Sequence, residues 1–457
     1  MPRAGTQPIY SAADFSSPKR PMNREAIDLL IEPRWLLPMS AAGDVLCGHA
    51  VAVDAGRIRA VAPASELRAR FAAREEQHRP AHALLPGFVN AHTHACHTLL
   101  RGLAVCAPRA RWLRERLAPA LSAAASPDFV RDGTRLAIAE MLRAGITCFA
   151  DTAPFPEEAA RVAAQAPVRA AIGLPISEGS SGWADGLTAH LARAERLWDE
   201  YASDARIRLY FAPSSPASAS EALLTRVRRV ADELDARVAL DFSDACGADE
   251  PGVRDGEPPG GPADGALARL ESLGLLREGT AAIVTRSFGL PGLARLAHHG
   301  AGLVGCPQAD LRLGESAPAR LPGRRAGLGS GSPAAAGALD LLAECRAAAL
   351  AGLAPLEALR LATLGAAAVL GLEEEIGSLE AGKAADLLCV ELDSLACRPE
   401  AGVPEALVFA ATRDRVSDVW SGGRAAVSAG RLLAFDEAEL AALPDAWRRR
   451  LRLEAAA

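Results

Sequence analysis

The feature that most constrains this chain is an apolar stretch ending in a histidine pair, residues 86–94, Pro-Gly-Phe-Val-Asn-Ala-His-Thr-His. Its apolar content and its length predict a buried β-strand. Side chains two apart on a strand point to the same side, so His92 and His94 can converge on one metal ion while Thr93 turns away. A catalytic zinc site normally has three protein ligands and an open position for water. The pattern therefore predicts part of a metal site and requires a further ligand from elsewhere.

Strand-like and helical segments alternate through the middle of the 457-residue chain. Short apolar runs, separated by helical stretches rich in Ala, Leu and Arg, occur at residues 144–149, 168–174, 207–211, 238–242, 281–284 and 302–306. This alternation predicts parallel strands with crossover helices, in a (β/α) barrel or another parallel sheet. Two stretches rich in chain-breaking residues, 246–265 and 314–331, predict long loops.

Both ends of the chain differ from this middle. They contain short alternating apolar residues broken by turn residues, which predict strands and hairpins. Two β-rich ends that flank one middle indicate a single small β-sandwich assembled from both termini.

Charge and cysteine content exclude several classes of protein. The net charge of -6 and the pI of about 5.9 give no basic surface for nucleic acid. Nine cysteines without a Cys-x-x-Cys pair are typical of a reduced cytosolic protein. Residues 1–23 lack the apolar run of a signal peptide, and no later segment has the length of a membrane span. We therefore expect a cytoplasmic protein with neither a nucleic-acid nor a membrane partner.

The histidine pair, residues 97–102 (His-Thr-Leu-Leu-Arg-Gly) and the tail at 376–387 (Ile-Gly-Ser-Leu-Glu-Ala-Gly-Lys-Ala-Ala-Asp-Leu) together closely resemble the amidohydrolase superfamily. The branch they resemble is the TRZ/ATZ hydrolases, which include methylthioadenosine and S-adenosylhomocysteine deaminases. The resemblance covers roughly residues 26–440. It implies that a divalent metal, usually zinc, activates water against an amino-bearing carbon and that ammonia leaves.

The fold implied by this resemblance is of the α/β class, a distorted TIM (β/α)8 barrel beside a small β-sandwich. We expect the chain to divide into a tail at 1–25, the first sandwich part at 26–85, the barrel at 86–375, the second sandwich part at 376–432 and a helical tail at 433–457.

The resemblance also indicates that several site residues of the family have changed in this chain. Ser214 stands where the family has a substrate-binding His, and Thr285 where it has a His near the leaving group. Gly331 stands where the family has a metal-ligating Asp. The strand that normally ends in a ligating His, followed three residues on by a proton-transferring Glu, carries Asp241 and Asp244 instead.

The substrate pocket is expected to include Trp112, Ser214 and Thr285, of which Trp112 matches an aromatic residue of the family. Leu121 aligns with an acidic residue that the nucleoside deaminases use against ribose, and Asp310 replaces a frequent Asn. The substrate pocket therefore departs from the family pattern, and so does the metal site.

These changes favour a non-catalytic homologue, because glycine cannot ligate a metal and threonine is a poor substitute for imidazole. Loss of one such group commonly reduces the rate by roughly 10²–10⁴. Such a protein would act as a scaffold, a regulator or a small-molecule binder, as a homo-oligomer or paired with an active paralogue.

The alternative is a metal-dependent hydrolase or deaminase with a rebuilt site. His92, His94 and Asp241 would form a two-His, one-carboxylate set for one zinc or iron ion, and Asp244 would transfer protons. The same carboxylate could instead form only hydrogen bonds with the imidazoles. A third hypothesis is a deaminase that retains the family chemistry with ligands placed elsewhere in the sequence.

Overall fold

The computed structural model describes residues 24–40, 45–103, 107–216, 218–243, 262–285, 288–316, 320–399 and 402–451. Most of the predicted tail at 1–25 lies outside these ranges. The chain first forms strands and one helix, namely β1 (Glu25–Leu36), β2 (Leu46–Cys47), β3 (His49–Asp54), β4 (Arg57–Pro63), α1 (Ala64–Arg70) and β5 (Phe71–Pro86). β3 pairs antiparallel with both β1 and β4, whereas β5 returns parallel to β1.

The middle of the chain forms an eight-stranded parallel sheet. Its strands are β6 (Phe88–Thr93), β7 (Ile146–Thr152), β8 (Arg169–Ile176), β9 (Ile207–Pro213), β10 (Arg237–Asp241), β11 (Thr280–Ile283), β12 (Gly302–Gly305) and β13 (Ala326–Leu328). The first and last strands approach each other where Thr93 bridges Gly331, and the Gly331 N–H donates to the His92 carbonyl at 3.0 Å. The sheet is thus a nearly closed barrel, and the predicted distorted TIM barrel is confirmed.

Helices connect and cover the barrel strands. They are α2 (Arg109–Trp112), α3 (Ala118–Ala124), α4 (Pro127–Arg143), α5 (Pro156–Gln165), α6 (Gly186–Tyr201), α7 (Glu221–Glu233), α8 (Pro262–Ser272), α9 (Gly289–His298), α10 (Pro307–Arg312), α11 (Pro333–Ala336), α12 (Leu341–Leu350), α13 (Pro355–Leu361), α14 (Leu364–Leu370), α15 (Val403–Glu405) and α16 (Glu437–Leu451). Shorter 3-10 segments lie at Ala95–Leu100, Leu395–Cys397 and Arg413–Arg415, and π-helical turns at Leu113–Leu117 and Ala406–Ala410. In the described ranges, no helix combines the length and apolar character needed to cross a membrane.

The end of the chain returns to the first sheet. Strands β14 (Leu387–Glu391), β15 (Val416–Ser421), β16 (Arg424–Ser428) and β17 (Arg431–Leu432) extend it to nine strands. β14 pairs antiparallel with β5, and Trp420 shares a buried cluster with Val53 and Leu84. Both chain ends therefore build one separate β-structure, as the sequence predicts, although the exact domain limits stay a prediction.

The prediction of two long loops agrees with the structure only in part. Residues 314–331 contain the last barrel strand, because the small residues of β13 let it pack closely against α14. Glycine and alanine have low strand propensity, so the sequence pattern does not predict this strand. The other predicted loop, 246–265, overlaps the first turn of α8, and its residues 246–261 lie outside the described ranges.

Substitution Gly365→Ala is expected to destabilise the barrel. A Cβ at this position of α14 would lie 2.2 Å from the carbonyl oxygen of Ala326 in β13, and a backbone atom cannot rotate away. Overpacking of this kind costs about 1–3 kcal/mol. Thermal unfolding of the variant should therefore occur at a clearly lower temperature than that of the wild type.

The matched control is Gly265→Ala in α8, where a Cβ would meet no atom within 4 Å. Alanine is a better helix former than glycine, so this variant should unfold at the same or a higher temperature. Equal effects of the two substitutions would contradict the packing described for α14.

Candidate metal centre

Three side chains with metal-ligating atoms meet at the carboxyl ends of the barrel strands. His92 lies near the end of β6, His94 follows that strand, and Asp241 ends β10. One donor atom from each lies within 4.8 Å of the other two, and His92 Nε2 is 3.9 Å from Asp241 Oδ2. We call these residues the donor triad. Their place at the carboxyl face is where barrel enzymes build their sites.

Both imidazoles of the donor triad can offer a ring nitrogen to a metal ion. His94 Nδ1 lies 3.0 Å from the Thr152 carbonyl, which can only accept, so Nδ1 carries a proton and Nε2 is the nitrogen left to bind a metal ion. Burial lowers the pKa of His92 to about 4, and His94 adds to this effect against the pull of Asp241. His92 is therefore neutral near pH 7, the form that binds metal.

Asp241 supplies the negative charge of the donor triad. Its side chain is 29% exposed, and its Oδ1 accepts a hydrogen bond of 2.8 Å from the Ser243 N–H. Burial raises the pKa of Asp241, but His92 and Ser243 together outweigh this effect and lower the pKa below its ordinary value. The ionised carboxylate is thus held beside the two imidazoles.

This donor set fits a divalent ion such as zinc, which accepts imidazole nitrogen and carboxylate oxygen at about 2.0–2.2 Å. Donors at that distance in tetrahedral geometry lie roughly 3.4 Å apart. The spread of up to 4.8 Å in the donor triad therefore requires a small closure of the side chains on binding.

His97 packs against one member of the donor triad, His94. Its ring stacks on that of His94, with centroids 4.9 Å apart and planes 14° apart, and its Nδ1 lies 2.9 Å from Ser332 Oγ. The side chain is buried, and burial lowers the pKa of His97 well below its ordinary value. The geometry makes His97 a positioning residue for the His94 ring.

Replacing His97 by alanine is expected to weaken zinc binding by about 10–100-fold, the usual effect of losing a partner that orients a metal ligand. Competition with a chelator of known affinity measures this change. His97→Phe keeps a flat ring against His94 and should lose less affinity than His97→Ala. Equal zinc affinity in the wild type and His97→Ala would contradict the positioning role.

The donor triad lines a cavity of about 820 Å³. Trp112 and Thr285, both predicted from the sequence, line the same cavity, while Ser214 lines an adjoining recess of about 250 Å³. The structure therefore brings each of these three residues to the cavity that the donor triad faces. Asp244, the predicted proton-transferring residue, lies outside the described ranges.

Gly331 also lies at the cavity, with φ of +59°, and its carbonyl accepts from Thr93 Oγ1 at 3.0 Å. A neighbouring network fixes this end of β13, because Asn90 Nδ2 donates to Ser330 Oγ at 2.8 Å and Ser330 N donates to Asn90 Oδ1 at 2.9 Å. Gly331, which the sequence analysis aligned with a ligating Asp of the family, thus joins the last strand to the first.

Asp151 is a residue of the site that sequence reasoning missed. It lies near the end of strand β7. Its Oδ1 accepts a hydrogen bond of 2.7 Å from the N–H of Ala95, the residue after His94. Burial raises the pKa of Asp151 to about 6, although the Ala95 N–H and His94 oppose the shift. An acidic residue at the end of a buried barrel strand is the signal that could have identified it.

A buried cluster of charged side chains is the second feature of the site that the sequence analysis did not predict. Arg109 donates to Asp310 Oδ1 at 2.5 Å and to Glu315 Oε1 at 2.9 Å, and its side chain is 11% exposed. Burial raises the pKa of Asp310 to about 7, against the opposing effect of Arg109. Arg109 and Asp310 both line the cavity, whereas the sequence singled out Asp310 alone.

Comparison with known proteins finds relatives of this chain that are named deaminases. The 5-methylthioadenosine/S-adenosylhomocysteine deaminase of Teredinibacter turnerae is 32% identical over 443 residues, which cover 94% of this chain and 99% of that protein. An adenosine deaminase from Xanthomonas campestris, solved with bound zinc, is 36% identical with a TM-score of 0.86, covering 94% of this chain and 100% of that one.

A more distant structure supports the fold alone. A triazine hydrolase variant superposes with a TM-score of 0.78 at 22% identity, covering 92% of this chain and 99% of that chain. The barrel with its sheet of terminal strands is therefore shared beyond the deaminases.

The expectation of a non-catalytic scaffold, regulator or binder is wrong. Relatives that match this chain over nearly their whole length are named deaminases, and the donor triad assembles in the barrel despite Gly331. The findings favour the alternative from the sequence, in which Asp241 of β10 joins His92 and His94.

The relatives, the barrel and the donor triad agree with the match of residues 83–426 to a single family model. That match spans most of the chain. The protein belongs to the amidohydrolase family.

Proposed function

We propose that this protein is a metal-dependent aminohydrolase that removes an amino group from a heteroaromatic ring. Water adds its oxygen to the amino-bearing ring carbon, the C–N bond breaks, and ammonia leaves with one proton from the water while the adjacent ring nitrogen takes the other. The ring carbon ends as a carbonyl. The site is the donor triad together with the cavity of about 820 Å³ that it lines.

The convergence of His92, His94 and Asp241 is the observation that carries this proposal. Two imidazoles and one carboxylate, at the carboxyl ends of barrel strands, match the ligand count of a catalytic zinc site. The names of the relatives support a C–N hydrolase, and the zinc bound to the adenosine deaminase of Xanthomonas campestris supports the metal.

A divalent ion held by the donor triad would supply activated water as a nucleophile at neutral pH. The chain's own residues prepare the place for it. The Thr152 carbonyl fixes the tautomer of His94, the Ser243 N–H orients Asp241, and His97 supports the His94 ring. Trp112 is buried at the cavity wall, where its ring excludes water from one side of the substrate.

Proton transfer requires a group whose pKa lies near the working pH. Among the described carboxyl groups, Asp310 lines the cavity outside the donor triad and has a pKa of about 7, so it can hold or release a proton there. Asp244, three residues beyond Asp241, is the further candidate that the sequence provides.

Ammonia release from the purified protein tests the proposal. The protein would be depleted of metal, reconstituted with zinc or ferrous iron, and incubated with aminopurines and aminotriazines. We expect turnover that requires the metal and disappears in His94→Ala. Metal-loaded protein that releases no ammonia from any of these amines would overturn the proposal, and the iron arm decides which ion the site uses.

A further inference from the structure

Tyr210 is a buried barrel residue whose side chain reaches across a neighbouring strand. It lies on β9, and the strand register places it beside Gly173 of β8, which in turn lies beside Thr152 of β7. Gly173 leaves the space that the ring occupies, because a Cβ there would lie 2.9 Å from both Cε2 and Cζ of Tyr210. The ring therefore crosses β8 and brings its hydroxyl group to β7.

The Tyr210 hydroxyl makes two hydrogen bonds to the end of β7. It donates to the Asp151 carbonyl at 3.0 Å, because a carbonyl can only accept. A phenol has one proton, so in the second contact, at 3.1 Å, the Thr152 hydroxyl donates to the Tyr210 oxygen. Burial raises the pKa of Tyr210, so the phenol keeps the proton that it donates. One hydroxyl group thus holds two successive residues of β7.

The same two residues of β7 hold the metal ligand His94. The Thr152 carbonyl accepts from His94 Nδ1 at 3.0 Å, and Asp151 Oδ1 accepts from the Ala95 N–H at 2.7 Å. The first bond orients the imidazole ring, and the second fixes the backbone that follows it. Outer partners that orient a ligating imidazole in this way affect how tightly the metal binds.

We infer that Tyr210 is a positioning residue for His94, an inference that rests on the proposed function. It acts through the end of β7 and not by contact with the ion or the substrate. Its hydroxyl holds the Thr152 carbonyl in place, and that carbonyl keeps His94 Nε2 directed at the other two donors of the triad.

The variant Tyr210→Phe tests this role, because it removes one oxygen atom and keeps the ring. Metal-free protein is titrated with zinc in competition with a chelator of known affinity. We expect the zinc dissociation constant to rise about tenfold, the lower end of the usual effect of losing an outer partner of a metal ligand. Equal zinc affinity in the wild type and Tyr210→Phe would overturn the inference.

The matched control is Thr280→Val, which also removes a buried hydroxyl group from a barrel strand. The Thr280 hydroxyl donates to the Leu275 carbonyl at 2.6 Å, at the first residue of β11 and therefore at the amino end of the strand. Its loss should lower the thermal unfolding midpoint without changing zinc affinity. Zinc binding weakened equally in Thr280→Val and Tyr210→Phe would indicate a general loosening of the barrel and would contradict the positioning role.

A second variant reaches the same contact from β8. The methyl group of Gly173→Ala would lie 2.9 Å from the Tyr210 ring and from Thr152 Oγ1, so it should separate the two hydroxyl groups and weaken zinc binding. Because both substitutions break one contact, the double variant Gly173→Ala, Tyr210→Phe should lose no more affinity than the weaker-binding single variant. Additive losses would show that the effect does not pass through the Tyr210 hydroxyl.

The inference and the proposed function fail separately. If Tyr210→Phe weakens zinc binding but zinc-loaded wild type hydrolyses no amine, the proposed function fails and the positioning of His94 stands. If amines are hydrolysed and Tyr210→Phe binds zinc as tightly as the wild type, the proposed function stands and the inference fails.

Discussion

Asp241→Ala is expected to lose bound zinc and ammonia release together. The substitution removes the carboxylate of the triad and leaves two imidazoles, which do not complete a catalytic site. Loss of a partner that merely orients a ligand costs about 10–100-fold in metal affinity or activity, so loss of a ligand itself should exceed about 100-fold. Elemental analysis after desalting and the ammonia assay measure the two effects on the same sample.

The matched control for this variant is Asp393→Ala. Asp393 is a surface carboxylate whose side chain is 54% exposed and pairs with Arg398. Its replacement should change neither metal content nor turnover. Zinc content and activity at the wild-type level in Asp241→Ala would show that β10 contributes no ligand, and the rebuilt site would then be wrong.

Of the variants described here, Asp386→Ala should lower the free energy of unfolding the most. Asp386 Oδ2 accepts from Arg169 Nε at 3.0 Å, and its Oδ1 accepts from the Gly422 N–H at 2.6 Å, with the carboxylate side chain only 2% exposed. It thereby ties barrel strand β8 to the turn between β15 and β16. Removing one partner of a buried ion pair costs about 3–5 kcal/mol, because the other charge stays buried without compensation.

Thermal unfolding should show this loss as a lower midpoint for Asp386→Ala. The double variant Arg169→Met, Asp386→Ala should recover part of it, since an apolar side chain no longer leaves a buried charge. Glu233→Ala breaks an exposed pair with Arg229 on α7 and should have little effect. An Asp386→Ala midpoint equal to that of Glu233→Ala would contradict the role given to the buried pair.

Local sequence signals predicted most of the fold. The apolar runs gave seven of the barrel strands their approximate positions, and the β-rich ends predicted that residues near 85 and 387 meet in one sheet. The Asp386 segment was predicted both as a strand and by resemblance, but its ion pair with Arg169 was not predicted. The eighth strand was missed, because Ala326–Leu328 is short and contains a glycine.

Local patterns predicted the part of the site whose residues are close in sequence, whereas Asp241 became a candidate ligand only through the resemblance to the family. The alternation of side chains along a strand predicts that His92 and His94 point to the same side. The approach of Asp241 to His92, and of Glu315 to Arg109, depends on how distant strands and helices close the barrel. No local pattern encodes such contacts. The sequence favoured a non-catalytic protein because Gly331, Ser214 and Thr285 replace site residues of the family.

Anomalous diffraction at the zinc absorption edge, from crystals grown with zinc, tests the central claim most directly. One peak should lie about 2.0–2.2 Å from an imidazole nitrogen of His92, an imidazole nitrogen of His94 and a carboxylate oxygen of Asp241. A peak that excludes Asp241, or zinc bound only at other side chains, would contradict the rebuilt metal site.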